Sequence, residues 1–155
     1  MPGAPERNDA APAALSATTE ALYQDAILEH YRAPRNKGAL PGATGSAHIL
    51  NPTCGDEVSV AAIVDGGVVR EVRFTGQGCS IAQASASMMT EMARGASVGA
   101  VQRTRAALER LLRREPVTQE ALGSLIAFAG VARYPARINC VLLPWRALEQ
   151  ALSKS

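Results

Sequence analysis

At 155 residues, with 47% apolar and 19% charged residues, the chain is long enough for one ordinary domain that builds its core without covalent staples. A formal charge of +2 is too small to make nucleic acid or an anionic membrane the main partner, and no apolar run reaches the roughly 20 residues that span a bilayer. Three cysteines (Cys54, Cys79 and Cys140) are an odd number at wide spacing, which makes a poor disulfide framework.

In chain order, residues 1–18 are rich in alanine and proline and read as a disordered tail. They hold no basic segment leading into an apolar one, so they do not read as an export signal, and with unpaired thiols the expected compartment is the cytoplasm. The folded domain is expected over residues 19–155. "TTEALYQDAILEHYRAP" predicts an amphipathic helix capped by Thr18 or Thr19 and ending before Pro34. A glycine-rich loop follows, then a short strand at His48 to Leu50 and a second, "EVSVAAIV", with Val58, Val60, Ala62 and Val64 on one face. Asp65-Gly66-Gly67 signals a hairpin turn into "VVREVRFTGQG", where Val68, Val72 and Phe74 share a face that Arg70 interrupts. Helices are then predicted over "SIAQASASMMTEMARG", ending at Gly95, and over "SVGAVQRTRAALERLLRRE", capped by Ser97. Two more follow, over "TQEALGSLIAFAGVARY" from Thr118 and over "VLLPWRALEQALSK", with Pro144 in its first turn. Strands first and helices after give an α+β domain with a small antiparallel β-sheet packed against helices.

Each cysteine falls where two predicted elements meet. Cys54 lies in "NPTCGD" at the entry to a strand, Cys79 in "GQGCSIAQ" where a strand gives way to a helix, and Cys140 in "ARINCVLLPW" before the last helix. A helix start favours thiolate over thiol, because the unpaired N–H groups and the positive end of the dipole face it. Gly76 and Gly78 would let the backbone come close to a bound group. Three thiolates with the Asp56 carboxylate form a four-donor set of the kind Zn²⁺ takes tetrahedrally. Such a set carries two more negative charges than the ion neutralises, which leaves electron-rich, nucleophilic sulfurs. Twenty-two residues separate Asp56 from Cys79 and sixty separate Cys79 from Cys140, so only a folded domain could assemble it. Inert buried thiols are the other reading that spacing allows.

The motifs "NPTCGD" (51–56), "GQGCSIAQASASMM" (76–89) and "YPARINCVLLPWRALEQAL" (134–152), with "LYQDAILEHYRAPRNKG" (22–38), resemble the IscU/NifU-type family of iron–sulfur cluster assembly proteins. Within that family they are most similar to the SufU branch of zinc-dependent sulfur acceptors. The resemblance implies a SufE/NifU/IscU-like fold in which Cys54, Asp56, Cys79 and Cys140 converge on one metal. It also implies a sulfurtransferase that accepts persulfide sulfur on Cys54 from a SufS-type cysteine desulfurase and passes it to downstream cluster-assembly proteins. A histidine of the desulfurase would take the place of Cys54 on zinc at docking. Arg137 matches a characteristic arginine of that branch and could stabilise the anionic sulfurs or steer the partner. The scaffold branch usually has histidine before its third cysteine, where this chain has Asn139, and a Leu-Pro-Pro-Val-Lys segment in the neighbourhood of "YPARI". The arginine-rich stretch 102–115 fits a helical addition typical of the SufU branch, although Asn139 is not the lysine expected there. The second reading is a scaffold on which a [2Fe–2S] cluster is built on the same residues. A purely structural zinc domain fits less well with a carboxylate ligand, and a cysteine hydrolase less well with His30 and His48 outside any catalytic motif. Met88, Met89 and Met92 are spaced for the core, and the arginines of 102–115 for a solvated face with Glu109 and Glu115.

Overall fold

A computed structural model describes residues 17–155 of the protein. The expected tail therefore lies outside the described residues as far as residue 16. Helix α1 (Ala17–Arg32) includes Thr18 and Thr19, and it ends ahead of Pro34 as expected. Strands β1 (Gly45–Leu50), β2 (Glu57–Asp65) and β3 (Val68–Gln77) form one antiparallel sheet in the order β1-β2-β3. Strand β1 begins three residues earlier than its sequence suggests, because Gly45 to Ala47 pair with Ala62 to Val60. Helix α2 (Ser80–Ala93), helix α3 (Val98–Leu112), the single turn α4 (Gln119–Leu122), a 3₁₀ segment (Gly123–Arg133) and helix α5 (Pro135–Ser153) complete the chain.

The sheet presents Val58, Val60 and Ala62 of β2 and Val69, Val72 and Phe74 of β3 to the core. Helix α5 packs on β1 and β2, and α2 packs on β3, α1 and α5. Every residue from Ala82 to Thr90 of α2 is buried. Its alanines and serines allow close approach on all sides, and Met88 and Met89 fill the remaining space. Trp145 and Leu148 of α5 are buried in the same core.

Three features depart from the sequence reading. In β3 the buried valine near the hairpin is Val69, not Val68. Val64 pairs with Val69 but Ile63 with Glu71, so Arg70 is the extra residue of a β-bulge that throws its side chain out of the apolar phase. The helix expected from Thr118 onward lasts one turn. Thr118 does cap it, accepting the Ala121 N–H at 3.3 Å, but Gly123 turns to φ 56° and the chain continues as a 3₁₀ segment. The last helix starts at Pro135, not after Cys140, so Pro144 lies in its interior. The rigid φ of Pro135 suits a first helical position, and the amide missing at Pro144 costs one bond inside a helix otherwise held by packing.

His30 is buried at 6% exposure and lies 2.7 Å from the Ser87 hydroxyl through Nδ1. Burial, and then the charge of Arg35, push its pKa below the ordinary 6.5, against the weaker pull of Glu91 and Glu29. A group lowered in the folded state stabilises fully above its unfolded value, and that contribution is lost as pH falls through the folded one. Metal-free protein is therefore expected to lose urea resistance between pH 7.5 and 5.5 by more than the His30→Gln variant does. Parallel losses in the two proteins would contradict this assignment.

Candidate metal centre

The β1–β2 loop is a closed turn. The Asn51 N–H donates to the Asp56 carbonyl at 2.7 Å, the Gly55 N–H to the Asn51 carbonyl at 2.8 Å, and the Thr53 N–H to Asn51 Oδ1 at 3.1 Å. This closure leaves Cys54 exposed at the tip while Asp56 points inward at 4% exposure. Cys79 is the N-cap of α2, and its sulfur accepts the Ala82 N–H at 3.5 Å. Cys140 is buried on α5, one turn after Ala136, whose carbonyl lies 3.9 Å from its sulfur.

These segments meet around the Asp56 carboxylate. Donor atoms of Cys54, Asp56 and Cys140 lie within 4.8 Å of one another. The Cys79 sulfur lies outside that group of three but is held against Asp56, its N–H donating to Oδ1 at 3.1 Å and its thiol lying 3.5 Å from Oδ2. The glycines of the junction serve this approach. A Cβ on Gly78 would stand 2.9 Å from the Asp56 carboxyl carbon, and one on Gly76 would stand 2.3 Å from the Glu57 carbonyl. What comes close is thus the protein's own carboxylate and strand β2.

The electrostatics separate the groups. Burial pushes the Asp56 carboxyl up, but hydrogen bonds from Cys140, from Cys54 and from the amide and thiol of Cys79 outweigh it, leaving Asp56 below the usual carboxylate range. Burial pushes the Cys140 thiol strongly up, and Asp56 and Cys79 push it further. This reverses the sequence expectation for Cys140, because the thiol sits inside α5 rather than at the exposed start of a helix dipole. Arg137, one turn before Cys140 and exposed, has its pKa raised by interaction with the Cys140 thiol and then by the charges of Cys79 and Cys140.

The donor set fits a thiophilic cation. Among the described residues Asp56 forms no salt bridge, so a buried carboxylate is left facing three sulfurs with no cation of the protein's own paired to it. Neither histidine lies in the cluster. His48 is exposed and pairs with Glu57 at 3.1 Å, and His30 is bound to Ser87. Arg105, half-buried on α3, pairs with Glu109 and Glu149, while the exposed Arg110 and Arg113 pair with Glu115 and, for Arg113, Glu109 as well.

A three-stranded sheet backed by helices, with the donor atoms of Cys54, Asp56 and Cys140 gathered together and Cys79 held beside them against Asp56, defines a small α+β domain with a candidate metal centre. Residues 22–141 match the NifU-like N terminal domain model, and the chain belongs to this IscU/NifU family of iron–sulfur cluster assembly proteins. It is 38% identical over 141 residues to the zinc-dependent sulfurtransferase SufU of Bacillus subtilis, covering 90% of this chain and 95% of that one. It is 35% identical over 133 residues to the iron–sulfur cluster assembly scaffold protein IscU of Thermotoga maritima, covering 86% and 94% of the two chains. Among solved structures, FiSufU of Fervidobacterium islandicum AW-1 superposes with a TM-score of 0.80 at 32% identity, covering 86% of this chain and 98% of that one.

Proposed function

We propose that the protein is a zinc-dependent sulfurtransferase that accepts persulfide sulfur from a SufS-type cysteine desulfurase in the cytoplasm and passes it to downstream cluster-assembly proteins. The observation that carries this reading is the gradient of access across the four donors. Cys54 is exposed, Cys79 half-buried, and Cys140 and Asp56 buried. Only Cys54 can meet a sulfur presented by another protein while the rest of the set stays in place. Cys54, Asp56, Cys79 and Cys140 would hold the ion, and bound zinc would keep the thiols as thiolates and protect them from oxidation.

In the transfer, Cys54 Sγ attacks the outer sulfur of the desulfurase persulfide. A sulfur–sulfur bond forms at Cys54 as the bond to the desulfurase cysteine breaks, and that cysteine leaves as a thiolate with no net oxidation or reduction. Arg137 is placed to offset the charge that moves through this cluster. Leu50, at the start of the Cys54 loop, and Tyr134, at the start of α5, are 55% and 58% exposed and offer an apolar rim to a docking protein. The SufU relative supports the transfer reading. The IscU relative supports the second one, a [2Fe–2S] scaffold on the same four residues. Metal analysis of the isolated protein, paired with desulfurase turnover in its presence and absence, tests both. Transfer predicts one tightly held zinc and marked stimulation of turnover. Iron with labile sulfide, a visible chromophore and no stimulation would overturn it in favour of the scaffold.

A further inference from the structure

The junction that delivers Cys79 is held from behind as well as in front. Gln83, buried at 8% exposure in an α2 wall otherwise built of small residues and methionines, donates from Nε2 to the Gly76 carbonyl at 3.2 Å. Its Oε1 accepts from Lys37 Nζ at 3.3 Å. These partners fix which way the amide faces, since an ammonium only donates and a carbonyl only accepts. Lys37 is itself anchored to β3. The Gly38 N–H donates to the Phe74 carbonyl at 2.8 Å, the Phe74 N–H donates to the Asn36 carbonyl at 3.1 Å, and Nζ lies 5.9 Å from the Phe74 ring centre. Gly76 pairs with Val58 in the sheet, and its carbonyl is the last point fixed from α2 before Gln77, Gly78 and Cys79. A buried amide is costly unless bonded, and Gln83 uses both of its ends on this junction.

We infer that Gln83, oriented by Lys37, is a positioning residue for Cys79. It pins the Gly76 carbonyl so that the residues between Gly76 and α2 place the Cys79 amide and sulfur against Asp56. The link to metal affinity rests on the metal-centre reading, whereas the positioning itself does not. Two readouts keep them apart. In metal-free protein, Gln83→Leu is expected to speed hydrogen exchange of the Cys79 amide by about tenfold while α3 amides keep their rates. With Co²⁺ as the probe, affinity is expected to fall about 10- to 100-fold, the range seen when partners behind metal ligands are removed, with weaker sulfur-to-cobalt absorption per bound ion. Lys37→Met, at an exposed position, is expected to change both readouts in the same direction by less, and it serves if Gln83→Leu does not fold. Unchanged Cys79 exchange in the folded variants overturns the inference. Faster exchange in a protein whose wild type takes up no Co²⁺ through its thiols keeps the positioning role and overturns the metal reading.

Discussion

Replacing Cys54 with serine is expected to lower sulfur acceptance from a cysteine desulfurase by more than about a thousandfold, the scale on which removing a covalent nucleophile acts. The fold should barely register the change. Cys54 is exposed at a loop tip whose closure depends on Asn51, Thr53, Gly55 and Asp56 backbone groups and the Asn51 side chain. A surface substitution of this kind shifts stability by about 0.5 kcal/mol or less. The variant keeps Asp56, Cys79 and Cys140, so it should still bind metal, more weakly than the wild type. Radiolabelled sulfur followed from cysteine through the desulfurase is the direct measurement. Label appearing on the Cys54→Ser protein at the wild-type rate would refute the acceptor role. If Cys79 were the true acceptor, its own serine variant would lose the label instead.

The second large effect is expected from Asp56→Ala. This carboxylate is the hub of the cluster, bonded by the Cys79 amide at 3.1 Å and the Cys79 thiol at 3.5 Å and within 4.8 Å of the Cys54 and Cys140 sulfurs. Its removal would delete one proposed donor to the metal and leave the Cys79 N–H without its acceptor, a loss of about 1–3 kcal/mol for a fully buried group and less for the half-buried Cys79. Metal affinity measured by competition with a chromogenic chelator should drop by at least about 100-fold, on the scale of losing a ligand or its orienting partner. Asp56→Asn separates the two roles, because the amide oxygen can still accept from Cys79 while the charge is gone. Its melting temperature should stay near wild type in metal-free protein and its metal affinity should not. Wild-type affinity in both variants would remove Asp56 from the ligand set.

Much of this architecture was legible because the signals are local. Ser97 and Thr118 cap the helices they precede, accepting the N–H groups of Ala100 and Ala121, and α2 ends just before Gly95. The alternation in β2 places Val58, Val60 and Ala62 inward as expected. The departures are non-local. Whether Val68 or Val69 faces the core depends on how β3 pairs with Ile63 and Val64; Arg70 in the apolar phase marks an irregularity there, but not which neighbouring valine turns inward. The start of α5 was obscured because two prolines, Pro135 and Pro144, can each open a helix, and the helix begins at the earlier one. The candidate site was legible as a list of residues and not as a ranking of them. Which thiol is exposed, which is buried, and that Asp56 is their common partner depend on how separate segments meet. Gln83 carried no signal at all, since one glutamine in an Ala/Ser-rich helix reads as a solvated position.

The donors come from points far apart along the polypeptide, and Cys54 and Cys140, neighbours in space, are separated in sequence by strands β2 and β3 and helices α2, α3 and α4. A cation shared between them is a cross-link that closes a long stretch of chain, and it would bind the native ensemble while ignoring the denatured one. Occupancy and folding are then thermodynamically linked, and stabilisation grows with the logarithm of free metal above its dissociation constant. Damage to the core far from any sulfur, at Leu148 for example, would drain metal from the protein without altering a single ligand.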